Sequence, residues 1–342
     1  MNEDNITQIH TNKTIFANNA ANEFTRKMKT FEGIFKWISL SIFGGIFILN
    51  ITVIGLLIKR KKKSRMGFFV ANLAYADLCV GLFHVLPETI HVWFEVDWNE
   101  FTCHIFYGYL ATFSFYVSTY AIVVLSIDRM NVVVKPLSPI TRLKIYKYGL
   151  ALSIWILGSL LAIQYSVHTK YYPPQNFGED VCRHEVPYDP EIRYFDVCVL
   201  IIIPVIFIVT CYIMIYMAIH RRHTFKFMTT NSNSDGMHER VNFNAKMRTV
   251  KQLFVVSVVY VICWTPLFSA SLLEYYKVLR FGITFRVLVG LAPLNSLTNP
   301  VVFLLFNHNM FCKGRKSSNK NTIVLKTNSS STNVKIDNAT KL

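Results

Sequence analysis

Six polar residues, which could bind a cation or tie helices together, lie inside long apolar stretches of the chain. They are Asn50, Asp77, Ser118, Asn295, Ser296 and Asn299. A carboxylate such as Asp77 is costly at membrane depth unless it is paired, hydrated or bound to a cation. Hydroxyl and amide oxygens suit a small hard cation. The pattern supports two interpretations equally: a hydrated sodium pocket that also couples helices, and a hydrogen-bonded packing cluster.

The apolar stretches around these residues are long enough to cross a membrane. A spanning helix needs about 20 mostly apolar residues, and such stretches lie at roughly 33–58, 67–94, 103–128, 146–168, 194–219, 252–275 and 284–306. The strands of a membrane barrel are shorter, with about ten residues of alternating polarity. We therefore predict an all-α membrane protein, a seven-transmembrane helix bundle with a short amphipathic helix after helix 7.

The chain divides into three predicted parts. An extracellular N-terminal tail covers residues 1–32, the membrane domain covers 33–312, and a cytoplasmic tail covers 313–342. The last part is rich in Ser, Asn, Thr and Lys, a composition that is typical of disorder.

Composition favours a membrane protein over the soluble classes. Of the 342 residues, 52% are hydrophobic and only 16% are charged, and the mean hydropathy is +0.33, whereas a soluble chain carries about 25% charged residues. The net charge of +16 could indicate nucleic-acid binding. The basic residues, however, form short runs between apolar stretches, which is typical of a positive cytoplasmic face. We therefore expect no nucleic-acid partner.

The loop charges predict the orientation in the membrane. Residues 59–65 carry six positive charges, whereas the next loop, 96–102, carries two acidic residues and no basic one. Basic loops return at 135–147 and 220–251. By the positive-inside rule the N-terminus is extracellular and the C-terminus is cytoplasmic. We expect a multi-pass protein of the plasma membrane.

Three positions are candidates for covalent modification. Asn5 and Asn12 lie in N-x-S/T sequons of the predicted outer tail and are candidate glycosylation sites. Cys312 follows the seventh apolar stretch on the predicted inner side, close to basic residues. It is a candidate for palmitoylation, and a free cytosolic thiol is the alternative.

Each predicted helix contains a short motif, and the motifs occur in a characteristic order. They are Asn50 in helix 1, Leu73–Asp77 in helix 2, Asp128-Arg129-Met130 at the end of helix 3, Trp155 in helix 4, Pro204 and Tyr212 in helix 5, Cys263-Trp264-Thr265-Pro266 in helix 6 and Asn299–Phe303 in helix 7. Any one of them is weak evidence. Together they make the chain resemble the class A, rhodopsin-like G-protein-coupled receptors over about residues 33–312.

The resemblance implies roles for these positions. A sodium site is implied at Asp77, Ser118, Asn295, Ser296 and Asn299, and activation and G-protein coupling are implied at Asp128, Arg129, Tyr212, Pro266, Pro300 and Phe303. An outer disulfide is implied between Cys103 and Cys182. The implied partners are a heterotrimeric G protein, membrane lipids, and the receptor kinases and arrestin that would act on phosphorylated serines of the tail.

The chain departs from the family pattern in five places, one of which is Tyr260, where a Phe is usual. Met130 replaces the usual Tyr after Asp-Arg, and Phe303 replaces the usual Tyr of helix 7. Lys246 occupies a place that is often acidic, so we expect no ionic contact from there to Arg129. Cys103 stands one residue further from Arg129 than the family spacing, which predicts either a bulge in helix 3 or a shifted start.

The outer half of the predicted bundle favours a peptide ligand. No acidic residue lies in 103–127, which argues against an amine ligand, and no Lys lies in 281–306, which argues against retinal. Acidic residues of the outer loop would steer a basic peptide. The predicted ligand-binding residues are Glu88, Tyr107, Gln164, Trp264, Phe268, Glu274 and Arg286. For Glu88 and Arg286 the alternative is that they only line a hydrated vestibule.

The resemblance extends to one group of receptors within the family. The runs Ser64–Phe69, Val85–Pro87, Ser118–Tyr120 and Leu125–Arg129 are similar to those of neuropeptide receptors. The likeness is to the vasopressin/oxytocin, neuropeptide S and crustacean cardioactive peptide group.

Three other classes of protein fit the pattern less well. A class A receptor for a lipid or a small odorant is disfavoured by the acidic outer loops. A transporter or proton pump would need several carboxylates along a path, or inverted repeats, whereas the predicted helices hold one deep carboxylate, Asp77. For an enzyme, the sequence contains no metal-ligand spacing, nucleophile elbow or phosphate loop. We therefore expect a receptor that is not an enzyme and has no cofactor beyond a sodium ion.

Overall fold

The structure is a computed structural model that describes residues 3–60, 64–94, 96, 99–135, 143–173, 181–184, 194–229, 236–278 and 283–307. Seven helical segments in it are long and apolar enough to cross a membrane, which confirms the predicted seven-helix bundle. We number them spans 1 to 7: Gly33–Ile58, Arg65–Phe94, Glu100–Val134, Lys144–His168, Tyr194–Arg221, Val250–Tyr275 and Val287–Asn307.

Spans 1, 4 and 6 are continuous α-helices, spans 2, 3 and 5 each contain a π-helical turn, and span 7 is interrupted by a turn at residues 292–293. The α-helices are Glu3–Ile58, Arg65–Val80, Leu86–Phe94, Glu100–Thr102, Ala111–Val134, Lys144–His168, Ile203–Thr229, Gly236–Tyr275, Ile283–Leu291 and 294–307. The π-helical turns are Gly81–Val85 in span 2, Cys103–Leu110 in span 3 and Val197–Ile202 in span 5. The first helix therefore also includes most of the segment that the sequence assigned to an N-terminal tail.

The π-helical turn in span 3 explains the unusual spacing of Cys103. A π-turn closes i→i+5 hydrogen bonds, so it accommodates one residue more than an α-turn. The turn Cys103–Leu110 lies between Cys103 and the motif at Asp128-Arg129. Of the two explanations left open by the sequence, the structure contains the bulge.

Span 3 is the centre of the bundle. In its most apolar stretch of 18 residues, 78% is buried inside the protein, whereas the corresponding share is 28% to 50% for the other spans. A helix that is apolar on every side is expected in a core. Spans 1 and 4 instead expose large apolar side chains, such as Trp37, Leu160 and Ile163, as a lipid-facing surface requires.

A two-stranded hairpin covers the end of span 3 that holds Cys103. Following the predicted orientation, we call this end of the bundle the outer end and the end that holds Asp128 the inner end. Strand β1, Thr169–Tyr172, pairs antiparallel with β2, Val181–His184, and Tyr171 lies opposite Cys182. Cys182 forms a disulfide with Cys103, the pair that the family resemblance implied. The hairpin is thereby attached to the start of the central helix.

Candidate functional site

A polar network in the middle of the bundle joins spans 2, 3 and 7. The Asp77 side chain is fully buried. The Ser118 hydroxyl donates to Asp77 Oδ1 at 2.6 Å, and Asn299 Nδ2 donates to Asp77 Oδ2 at 3.0 Å. Asn50 Nδ2 donates to the Ser296 carbonyl at 3.2 Å, which brings span 1 into the same network.

Several buried oxygen atoms of the spans that form this network are suited to a hard cation. Oδ1 of Asn50, Asn295 and Asn299 is buried, and no donor from the described residues reaches any of the three atoms. Ser296 contributes a further hydroxyl beside Asp77. One carboxylate with surrounding hydroxyl and amide oxygens matches the donor set that sodium prefers. The residues present therefore fit the ion.

Two arginines share one carboxylate at the inner end of the bundle. Asp128 Oδ1 accepts from Arg65 Nε at 2.5 Å, and Arg129 also forms an ion pair with Asp128. Asp128 is fully buried, whereas the Arg65 and Arg129 side chains are 24% and 11% exposed. The Arg65 guanidinium lies 5.1 Å from the centre of the Tyr146 ring. This network connects the inner ends of spans 2, 3 and 4.

The other predicted activation residues lie in spans 5, 6 and 7, and the structure gives them no contact with Arg129 among the described residues. Tyr212 packs edge-on against Phe254 at 5.7 Å between ring centroids, and no described residue bonds its hydroxyl. Phe303 is buried in span 7. Pro266 lies within the helix of span 6 and Pro300 within that of span 7.

Two amides join spans 6 and 7 at their inner ends. Asn307 Nδ2 donates to Gln252 Oε1 at 3.2 Å, and both side chains are buried. Sequence reasoning did not single out this pair, or Arg65 as a partner of Asp128. The sequence indicates these contacts only by a polar residue at the edge of each apolar stretch. Such residues are too common to identify a particular contact.

An aromatic cluster lies further out between spans 2, 3 and 6. Trp264 stacks on Phe268 with 5.6 Å between ring centroids, and Phe115 meets Trp264 edge-on at 5.2 Å. His84 lies 4.7 Å from the Phe115 ring. The structure thus brings the predicted ligand residues Trp264 and Phe268 together and adds Phe115 and His84, which sequence reasoning missed.

The remaining predicted ligand residues lie near the outer ends of four spans. Glu88 is partly buried just after the π-helical turn of span 2, and Tyr107 is partly buried in that of span 3. Gln164 lies in the last turns of span 4, and Glu274 in the last turn of span 6. They lie on four different spans, 2, 3, 4 and 6.

A third carboxylate inside the bundle, which is partly buried, was missed by sequence reasoning. Asp196 lies near the outer end of span 5, and its Oδ1 accepts hydrogen bonds from the hydroxyls of Tyr116, at 3.1 Å, and Tyr165. The signal was an acidic residue two positions inside an apolar stretch. From the sequence, Asp196 is interpreted as a residue at the edge of the span, because the sequence does not show which side of the helix faces the interior.

Several predictions fall outside the described part of the chain. These are the side chains of Asn5, Asn12, Lys246 and Arg286, Cys312, the amphipathic helix after span 7 and most of the acidic outer loop. Glycosylation and palmitoylation therefore stay predictions.

Comparison with known proteins identifies the family. Residues 49–303 match the family described as the seven transmembrane receptors of the rhodopsin family. The chain belongs to this receptor family. It is therefore a multi-pass membrane receptor and not an enzyme, as the sequence motifs predicted.

Individual relatives are receptors with related names. The chain is 29% identical to the mesotocin receptor of Rhinella marina over 80% of its own length and 72% of the relative's. It is 27% identical to cephalotocin receptor 2 of Octopus vulgaris, over 80% of its own length and 70% of the relative's. It is 30% identical to the isotocin receptor of Catostomus commersonii, with 73% and 67% covered. These similarities extend over most of the seven-span bundle.

Proposed function

We propose that this receptor binds an extracellular peptide at the outer half of the bundle and activates heterotrimeric G proteins at the inner side. The observation that carries the proposal is the similarity to receptors named for mesotocin, cephalotocin and isotocin. The partly buried acids Glu88 and Glu274 at the outer ends of spans 2 and 6 support a ligand with a basic or amidated element. The N-terminus would then be extracellular and the C-terminus cytoplasmic in the plasma membrane.

The contacts suggest how the signal would pass through the bundle. A ligand against Trp264 and Phe268 would press on span 6, whose helix contains Pro266, a position where the backbone lacks one hydrogen bond and bends easily. Binding would favour a pre-existing open arrangement of the inner ends. Arg129, released from Asp128, would then contact a G-protein helix in the opened groove. Receptor kinases and arrestin would act later on serines of the tail.

A functional screen tests the proposal. Cells that express the tagged receptor are exposed to mesotocin, cephalotocin, isotocin, oxytocin and vasopressin and then to a wider neuropeptide library, while calcium and cyclic AMP are recorded. We expect a response to at least one peptide, which is lost in untransfected cells. A response to lipids, with none to any peptide, would overturn the peptide assignment.

The Glu88→Gln receptor is expected to need at least about ten times more peptide agonist for a half-maximal response. A hydrogen bond to a charged group contributes about 1.5–3 kcal/mol, and about 1.4 kcal/mol corresponds to a factor of ten. Glutamine keeps the shape of Glu88 and removes only its charge. The measurement is the agonist concentration at half-maximal calcium or cyclic AMP response.

The matched control for this change is Glu100→Gln. Glu100 is exposed at the outer start of span 3, so its substitution removes the same charge from the rim. We expect less than a twofold change in potency there. Equal potency of the Glu88→Gln and natural receptors would show that Glu88 only lines a hydrated vestibule.

We also propose that the network around Asp77 holds a sodium ion that favours the closed arrangement. Asp77 and the amide oxygens of Asn295 and Asn299 would hold the ion, whose charge would offset that of the buried carboxylate. The support is the donor set: one buried carboxylate, the Ser118 and Ser296 hydroxyls and three amide oxygens without a described donor.

Sodium is expected to stabilise the natural receptor but not the Asp77→Asn variant. Replacing N-methylglucamine chloride by an equal concentration of NaCl should raise the unfolding temperature in detergent by about 2–4 °C, since a ligand at ten times its Kd contributes about 1.4 kcal/mol. Ser126→Ala, which removes a buried hydroxyl bonded only to its own helix, is the control and should keep the shift. An unchanged shift in Asp77→Asn would place the sodium effect elsewhere.

A further inference from the structure

Asp196 is a carboxylate that the proposed mechanism does not use. It lies in span 5, two residues after the start of the span, and contacts spans 3 and 4. The hydroxyls of Tyr116 and Tyr165 both donate to its Oδ1, and both tyrosine side chains are buried. Removal of the carboxylate from water disfavours its charged form, and the two donors offset part of that cost.

The negative charge of Asp196 has no positive partner in the described part of the chain. The ion pairs of Asp128 with Arg65 and Arg129 lie at the opposite end of the bundle. A buried charge is costly unless it is paired with an opposite charge as well as hydrogen-bonded. Two tyrosine hydroxyls supply neutral donors but no compensating charge. A cation that entered from the outer side would supply the missing positive charge.

An independent observation at the same place also indicates a ligand. The amide nitrogen of Gln164 is buried, and no acceptor from the described residues reaches it. Gln164 precedes Tyr165 in the sequence, and its side chain lies beside the Tyr116 hydroxyl. A buried donor without an acceptor is destabilising by about 1–3 kcal/mol. An amino-acid residue with a cationic side chain would supply both missing partners: its cation for Asp196 and its backbone carbonyl for Gln164.

The cluster adjoins the aromatic cluster that we assign to the ligand. Tyr116 directly follows Phe115, whose ring contacts Trp264. The ring centroids of Tyr116 and Tyr165 are 6.3 Å apart, which places Tyr165 beside span 3. Asp196 therefore lies on the side of spans 3, 4 and 5, whereas Glu88 lies on span 2. The outer half of the bundle thus presents acids from two separate directions.

We propose that Asp196, with Tyr116, Tyr165 and Gln164, forms a subsite for a guanidinium or ammonium side chain of the peptide ligand. This inference rests on the proposed function, because a peptide carries the cation into the bundle. The two tyrosine hydroxyls position the carboxylate, and Asp196 supplies the charge. A peptide with an arginine or lysine would be preferred over one with an uncharged residue at the same place.

The first experiment needs no peptide. The purified full-length receptor is heated in detergent with 10 mM butylguanidinium or with 10 mM butylurea, its uncharged analogue of similar shape. We expect butylguanidinium to raise the unfolding temperature by about 3 °C more than butylurea does, through preferential binding to the folded state. Absence of this difference in the natural receptor would overturn the proposal.

Three variants locate the effect. Asp196→Asn should lose the butylguanidinium shift, since asparagine keeps the shape and removes the charge. Glu100→Gln, which removes a charge from the exposed start of span 3 outside this cluster, should keep the shift. Asp77→Asn, which alters the buried carboxylate in the middle of the bundle, should also keep it. A shift that survives in Asp196→Asn, or that disappears only in Asp77→Asn, would contradict the assignment.

The second experiment uses a peptide that activates the natural receptor. Its arginines are replaced by citrulline and its lysines by acetyl-lysine, one at a time. For one position we expect at least a tenfold loss of potency on the natural receptor and less than a twofold loss on Asp196→Asn, which is the coupling a double-mutant cycle measures. Similar losses on both receptors at every position would refute the peptide contact.

The two experiments separate failure of the subsite from failure of the proposed function. A butylguanidinium shift that depends on Asp196, without any active peptide, would support a cation site and overturn the peptide receptor. An active peptide whose potency is insensitive to Asp196→Asn would support the peptide receptor and overturn the subsite.

Discussion

The Asp128→Asn receptor is expected to signal about tenfold more strongly than the natural receptor in the absence of ligand. Asp128 is fully buried and holds Arg65 and Arg129 together at the inner end of the bundle. Asparagine keeps the size of the side chain but removes the charge. Loss of one charge-assisted hydrogen bond amounts to about 1.5–3 kcal/mol, and about 1.4 kcal/mol shifts an equilibrium tenfold.

The expected rise in ligand-free signalling follows from the positions of the two arginines. While Arg129 is paired with Asp128, its guanidinium is 11% exposed and is not available to a partner at the inner face. After the substitution, two cations adjoin without a shared carboxylate, so their repulsion favours an arrangement in which Arg129 points elsewhere. If about 1% of receptors are open at rest, the open fraction would become about 10%.

The measurement is ligand-free G-protein dissociation in cells, recorded over a panel of G-protein classes and divided by surface expression of a tagged receptor. Arg65→Gln is the matched control, because it removes one cation of the network and leaves the pair between Asp128 and Arg129. We expect less than a threefold rise for that variant. Equal resting signals for Asp128→Asn and the natural receptor would show that this carboxylate does not hold the closed state.

The sequence predicted the seven spans well because the membrane imposes a strong constraint on composition. A helix needs about 20 apolar residues to cross it, and such stretches are visible without any tertiary information. Predicted and observed boundaries agree within a few residues, as for span 4, predicted at 146–168 and observed at Lys144–His168. The polar residues Asp77, Ser118 and Asn299 could be identified in the same way, since polar groups at this depth are rare.

The contacts that depend on helix rotation could not be predicted in the same way. Asp196 and Asp77 are both acids within apolar stretches, yet only Asp77 was recognised as deep, because its stretch extends well beyond it on both sides. The depth of Asp196 follows from Tyr116 and Tyr165, which approach it from other spans. A partner 80 or 31 positions away in the sequence is set by packing and not by local pattern.

The π-helical turns illustrate a second limit. They change which side chains face the interior without any change in composition, and their residues are as apolar as those of the adjoining α-helix. Only the spacing between Cys103 and Arg129 indicated one of them, and only through the family resemblance. The turn Gly81–Val85, which precedes Glu88, had no such signal.

The Gly158→Leu receptor is expected to reach the cell surface at less than about a tenth of the natural amount. Gly158 is buried in span 4 against span 3. A Cβ atom at this position would lie 2.6 Å from Val117 Cγ2 and 3.3 Å from the Val117 backbone nitrogen. Small residues allow such close approach of helices in a membrane. Since span 3 is the centre of the bundle, separating it from span 4 disturbs the whole fold.

Val117 cannot move away from an added side chain without a large loss of stability. Val117 is fully buried, its β-branched side chain has one strongly preferred rotamer in a helix, and its backbone nitrogen belongs to the helix itself. Inserting a bulky side chain into a packed interior typically destabilises by about 1–3 kcal/mol or more, a large part of the stability of an ordinary domain. Gly158→Ala adds only the Cβ, so we expect an intermediate loss.

Gly149→Leu is the matched control on the same helix. Gly149 is also in span 4, but a Cβ there would meet nothing within 4 Å. Both substitutions add the same apolar side chain to the same span and lower its glycine content equally. Surface expression by flow cytometry and the unfolding temperature in detergent should therefore be close to natural for Gly149→Leu. Equal expression of the two variants would show that the close approach of spans 3 and 4 at Gly158 is not required for folding.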